Sequence, residues 1–184
     1  MIKLDIGSGG KSTDSTFLGV DAFTEADINA LMWDLPYKDG EVDVIYSSNA
    51  LEHISKFNII PTLWEWKRVL KIGGKLEIIV PDLVWACMWW LSHQNTDWSM
   101  DILYGHQSHE GEFHRTGFTP EIMESYLDVC GGFKLVKVGY YGSSLESTLT
   151  FPESIAQRMI DFQILRIDEP SVSQQVEETD SKSV

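Results

Sequence analysis

"KLDIGSGGKSTDSTFLGVDAF", Lys3 to Phe23, decides how the chain is read. An apolar strand ends on an acid and runs into glycines, the opening of a nucleotide-binding turn. A second apolar strand, "FLGVD", follows almost at once. Asp5 and Asp21 are sixteen residues apart, which leaves room for a loop and a strand but not for three turns of helix. The dinucleotide fingerprint G-x-G-x-x-G is met at Gly7 and Gly9 and broken at Ser12. A pyrophosphate depends on the free N–H groups of a helix N-terminus. Without that helix, a nicotinamide dinucleotide loses its main anchor. A nucleoside ligand that carries no phosphate loses much less.

Outward from this stretch, strands alternate with helices, the pattern of an α/β parallel sheet. Strands are expected at residues 2–6, 16–21, 27–32, 42–48, 75–82, 133–141 and 159–166. The run "VDVIYSS" is read as a strand buried on both faces. Helices are expected over 57–71, ended by Gly73-Gly74, over 83–93, and from Pro120 to about Val129 behind a Thr119 cap. Residues 94–116 read as irregular. Trp85 and Trp89 lie four apart on one helical face, which predicts core packing. Residues 1–167 form the expected domain, and 168–184 an acidic, disordered tail.

In such sheets a ligand sits beyond the carboxyl ends of the strands. S-adenosylmethionine is a phosphate-free nucleoside with a sulfonium charge that suits an acidic protein. Gly7 and Gly9 would let the backbone pass close to it. Asp21 can accept from ribose hydroxyls. Asp34 can accept from the adenine amino group, with Trp33 and Leu35 beside the ring.

At these residues the sequence resembles the class I S-adenosylmethionine-dependent methyltransferases, in particular the small type 11-like group. The pieces that carry the resemblance are "LDIGSGG", "GVD", "WDLPYKDGEVDVIYSSNALEHI", "EWKRVLKIGGKLEIIVPDL" and "HRTGFTPEIMESYLDVCGGFKLVKV". The resemblance implies a Rossmann-like three-layer sandwich. Its seven-stranded, mostly parallel sheet would have the order 3-2-1-4-5-7-6 with strand 7 antiparallel, here with the helix after strand 1 absent or much shortened. It implies that Asp5, Gly7, Ser8, Gly9, Asp21, Ala22, Trp33, Asp34, Leu35, Ser48 and Asn49 line the cofactor. Lys11 stands where the family has a third glycine.

Methyl transfer is an in-line displacement that requires alignment and exclusion of water, and often a positioned base. His53, after the fourth expected strand, and His114, in "HRTGF", are the candidate catalytic residues, with Tyr104 and Arg115 as further acceptor-site candidates. His106, His109 and His114 with Glu110 and Glu112 match no metal motif, so no metal is expected.

The chain has 184 residues and a formal net charge of −14. It offers no basic surplus for a nucleic acid, whose binding rests on cations that replace counterions. Cys87 and Cys130 have no metal spacing, and their pattern fits reduced thiols of a cytoplasmic protein. No run is long enough to span a membrane. The acceptor is expected to be a small molecule or a saccharide. The alternative is a non-catalytic cofactor-binding or protein-interaction module on the same fold. Oligomeric state is not legible.

Overall fold

The computed structural model describes residues 1–93, 96–141 and 159–167. Strands β1 (Lys3–Ile6), β2 (Leu18–Val20) and β3 (Val42–Ser48) are followed by a 3-10 turn, Leu51–His53. Helix α1 (Lys56–Val69) leads into β4 (Leu70–Pro81). Then come α2 (Leu83–His93), α3 (Thr96–Tyr104), a second 3-10 turn (Glu110–Glu112), α4 (Pro120–Cys130), β5 (Phe133–Tyr141) and β6 (Met159–Arg166). The expected acidic tail lies outside the described residues.

Among the described residues the sheet has six strands, in the order β2-β1-β3-β4-β6-β5, with β6 antiparallel to both neighbours. The seven-stranded expectation is therefore corrected. The observed order is the expected one without its third strand. Residues 27–32 contribute only isolated bridges, Val20 to Ile28 and Leu31 to Asp34. Their segment touches the edge of β2 only at Asp27 and Ile28, and from Met32 onward it is held by α1. The buried indole of Trp66 donates to the Met32 carbonyl at 2.8 Å, and Leu35 N–H donates to Glu65 Oε1 at 2.8 Å. Arg68 donates to the carbonyls of Tyr37 and Leu35 and forms ion pairs with Glu65 and Asp39.

The core lies on one face of the sheet. Leu4 pairs with Ile45, Ile45 with Leu76 and Leu76 with Ile164, and all four are buried under α1 and α4. The opposite row runs Asp5, Tyr46, Glu77, Gln163, Lys137 across five strands. None of these five is fully buried, and among the described residues no helix covers them. Among the described residues, the helical layer on the sheet is that of α1 and α4. The burial of β3 alternates between buried and half-buried residues, so its two faces are not covered alike.

Helix α1 stops at Val69, and β4 begins at the next residue. Gly73, at φ +78°, lies within β4 rather than after a helix. There the pairing jumps from Val42–Leu70 to Val44–Lys75, so residues 71–74 bulge out of the ladder. Thr119 caps α4 by accepting from Ile122 N–H, and Gly131 follows its end at φ +61°, both as expected. Trp85 and Trp89 stack at 5.6 Å and form a small second core with Ala86 and Ile102. Helix α3 was not expected. It turns the "irregular" segment into a hairpin of helices that pack chiefly on each other at the carboxyl end of β4.

Candidate functional site

The site begins with the turn after β1. Gly7 sits at φ +75°, and its N–H donates to the Val20 carbonyl at 2.8 Å. A Cβ there would lie 2.2 Å from the Ala50 Cβ, so only glycine lets the loops after β1 and β3 meet. Gly9 is also at positive φ and would place a Cβ in open space. In place of the missing helix, the loop folds onto β2. A Cβ on Gly19 would lie 2.4 Å from the Gly10 carbonyl oxygen. Ser12 Oγ donates to Asp5 Oδ2 at 2.8 Å. Burial raises the Asp5 carboxyl above its usual range, and the Ser12 hydrogen bond partly opposes this.

Asp21 closes the turn. Its carboxylate accepts from the backbone N–H of Gly9 at 3.0 Å, Phe23 at 2.7 Å and Thr24 at 3.0 Å. A carboxylate has about four lone-pair sites. Three are filled by its own loop, which leaves room for about one external donor rather than the two expected.

Beyond these strand ends lies a cavity of about 500 Å³. Of the expected cofactor residues, it brings together Gly7, Gly9, Asp21, Ala22, Trp33 and Asn49, with His53 in the same wall. The others are not part of that wall. Asp5 is held beneath the loop by Ser12. The Ser8 hydroxyl donates to the Gly10 carbonyl. Ser48 Oγ accepts from Asn49 Nδ2 at 3.2 Å. Asp34 is exposed in a turn closed by its N–H on Leu31, and Leu35 is a core residue. The segment 109–115 supplies the facing wall. There Arg115 pairs with Glu110 at 2.6 Å, and His109 lies 3.5 Å from Glu112. Tyr104 is half exposed outside it.

His114 turns away from this cavity into a smaller void of about 20 Å³ that it shares with Glu52. Its ring lies edge-on to that of His53, with centroids 4.8 Å apart. His114 Nδ1 lies 2.8 Å from the Ile102 carbonyl oxygen. Burial pulls both imidazoles below the usual histidine range, and backbone carbonyls partly oppose the shift in each. Beside them stands Glu52, 1% exposed, with no hydrogen-bond partner for either carboxylate oxygen. Burial pushes its carboxyl up to about 8. The sequence brought His53 and His114 forward separately and gave Glu52 no role. An acid inside the apolar turn Leu51–Ile54 was the one available signal.

The sequence profile of a methyltransferase domain family matches residues 4–78. No protein of curated function matches the chain. Solved structures share the fold at low identity. An S-adenosylmethionine-dependent methyltransferase from Methanosarcina mazei is 16% identical, with a TM-score of 0.63 over 91% of this chain and 92% of its own. One from Archaeoglobus fulgidus is 12% identical, with a TM-score of 0.57 over 89% and 85%. The 1,6-didemethyltoxoflavin-N1-methyltransferase of Burkholderia thailandensis, solved with S-adenosylhomocysteine and 1,6-didemethyltoxoflavin, is 13% identical, with a TM-score of 0.60 over 91% and 71%. The resemblance read from the sequence is borne out, and the chain has the Rossmann-like methyltransferase fold.

Proposed function

We propose that the protein is an S-adenosylmethionine-dependent methyltransferase that holds its cofactor in the 500 Å³ cavity. The observation that carries this reading is the convergence of Gly7, Gly9 and Asp21 with Trp33 and Asn49 around one cavity at the carboxyl ends of β1, β2 and β3. The bare backbone at Gly9 would accommodate the methionine part, the free side of Asp21 a ribose hydroxyl, and the Trp33 ring the adenine. The methyl would face the wall formed by residues 109–115, where the acceptor is placed. His53 borders the cavity as a neutral imidazole, able to take a proton from an acceptor hydroxyl or amine as it attacks the methyl. His114 is assigned to the support of His53 rather than to the acceptor. The net charge of −14 favours a small-molecule or saccharide acceptor over a nucleic acid. Two unpaired cysteines, and no helix among the described residues long and apolar enough to cross a membrane, support a place in the cytoplasm.

Calorimetry tests the reading. S-adenosylmethionine and S-adenosylhomocysteine should each bind once per chain. Asp21→Asn should weaken both by about 1.5–3 kcal/mol, as for the loss of a charge-assisted hydrogen bond. No heat with either ligand at millimolar concentration overturns it. A second reading, a binding module without turnover, is supported by the loop that replaces the first helix and already occupies three sites on Asp21. Cofactor binding with no methyl transfer to any of a broad acceptor panel would favour that second reading.

A further inference from the structure

Among the described residues, the Glu52 carboxylate is the least explained group. It is 1% exposed and lacks a partner at both oxygens. Buried polar groups are nearly always paired, so an exception calls for a partner such as a water or an ion. His53 Nδ1 is likewise buried and makes no hydrogen bond of good geometry, although the Asn49 and Phe113 carbonyls lie close enough to the ring to act on it. The Ile102 carbonyl can only accept, so His114 Nδ1 carries the proton of its neutral ring. His114 Nε2 is then left with a free lone pair, the arrangement that orients metal-ligating histidines.

One ligand atom from each of Glu52, His53 and His114 lies within 4.8 Å of the other two. A common centre is then no more than about 2.8 Å from each atom. Zinc bonds to nitrogen and carboxylate oxygen are ~2.0–2.2 Å, so side-chain shifts of under about 1 Å suffice. The two segments are already laced together. Arg115 and Thr116 N–H donate to the Glu52 carbonyl at 2.7 and 3.1 Å, and Thr116 Oγ1 donates to the Ile54 carbonyl at 2.8 Å. Glu52 and His114 border the small void, and His53 borders the large cavity.

We propose that Glu52, His53 and His114 bind one divalent transition-metal ion of the zinc type in the wall of the large cavity. Two imidazoles and one carboxylate suit such an ion and leave a coordination position open. That position would take a water or an oxygen of a molecule in the cavity. With the ion bound, His53 is a ligand and the base proposed above is replaced by whatever occupies the open position; the metal site is otherwise tested apart from the cofactor reading, because its ligands come from the chain alone and its test needs no S-adenosylmethionine.

The test uses the full chain, stripped with a chelator. Zinc titration by calorimetry should show one equivalent bound with micromolar or tighter affinity. Cobalt(II) should give the visible absorption of a four- or five-coordinate ion. Glu52→Gln and His114→Gln should each weaken zinc at least ~10-fold, with circular dichroism as the control for folding. His109→Gln, in the exposed pair with Glu112, should leave affinity unchanged. Should a variant fail to fold, X-ray absorption of the wild-type zinc complex decides, with two imidazole nitrogens expected in the first shell. The proposal is overturned by no stoichiometric binding, by undiminished affinity in Glu52→Gln and His114→Gln, by loss of binding in His109→Gln, or by a shell without imidazole.

Discussion

Gly7 shows how much one residue can carry. Its positive φ and its close approach to Ala50 each exclude a side chain. Gly7→Ala should therefore destabilise the fold by about 2 kcal/mol or more, combining left-handed strain with a clash that backbone must relieve. Urea denaturation of the variant measures this, and an unchanged midpoint would show that the two loops do not meet as described. The glycine pattern was legible because the turn needs that residue type at that place. The partners of the polar residues were not. Asp21 spends three of its acceptor sites on its own loop, Ser8 turns back to Gly10, and Leu35 enters the core. Spacing along a strand end says which residues are near a pocket, but it does not say which way each side chain turns. Glu52 was silent for the same reason. Its isolation becomes visible only when segment 113–116, sixty residues further on, is laid across it.

At the scale of elements, the missing third strand is replaced by a tether. Segment 32–39 is fixed to α1 by Trp66, Glu65 and Arg68. The hydrogen bond from Arg68 holds the Glu65 carboxyl below its usual value. A depressed carboxylate contributes stability that is present above its unfolded value near 4.5 and lost as pH falls through the folded one. Arg68 is partly exposed, so solvent screening reduces the contribution to about 1 kcal/mol. Glu65→Gln should be less stable than wild type by that amount at pH 7. The gap should close in thermal melts recorded below the depressed value. A gap that persists in acid would place the interaction elsewhere. The tether escaped the sequence because "DINALM" has the composition of a short strand, and it does meet β2 at Ile28 before the bonds from α1 take the chain at Met32. Helix α3 escaped because it is only nine residues long and runs straight into the polar stretch 105–116, although Gly105 at φ +79° is a recognisable helix stop.

At the scale of the molecule, the strand order of a methyltransferase sheet was legible apart from its missing edge, because each strand and crossover leaves a local signature. The cover of the second face was not. The β3 run mixes Asp43, Ser47 and Ser48 with its apolar residues, and Val44 and Tyr46 face a side on which no described helix packs. The row beside Tyr46 carries mixed charge, with Glu77 and Lys137 in it. Replacing both with Leu should leave the circular dichroism unchanged and promote self-association in sedimentation velocity, because the row becomes an apolar patch. A variant that associates no more than the wild type would show that this side is covered.

The two faces of the sheet also answer differently to salt. The face under α1 and α4 is held by apolar burial, which sulfate strengthens. The other face carries Asp5, Glu77 and Lys137 in one row, whose charges any salt screens. A protein made in this way should tolerate heat best in the same solutions in which it stays dispersed least well.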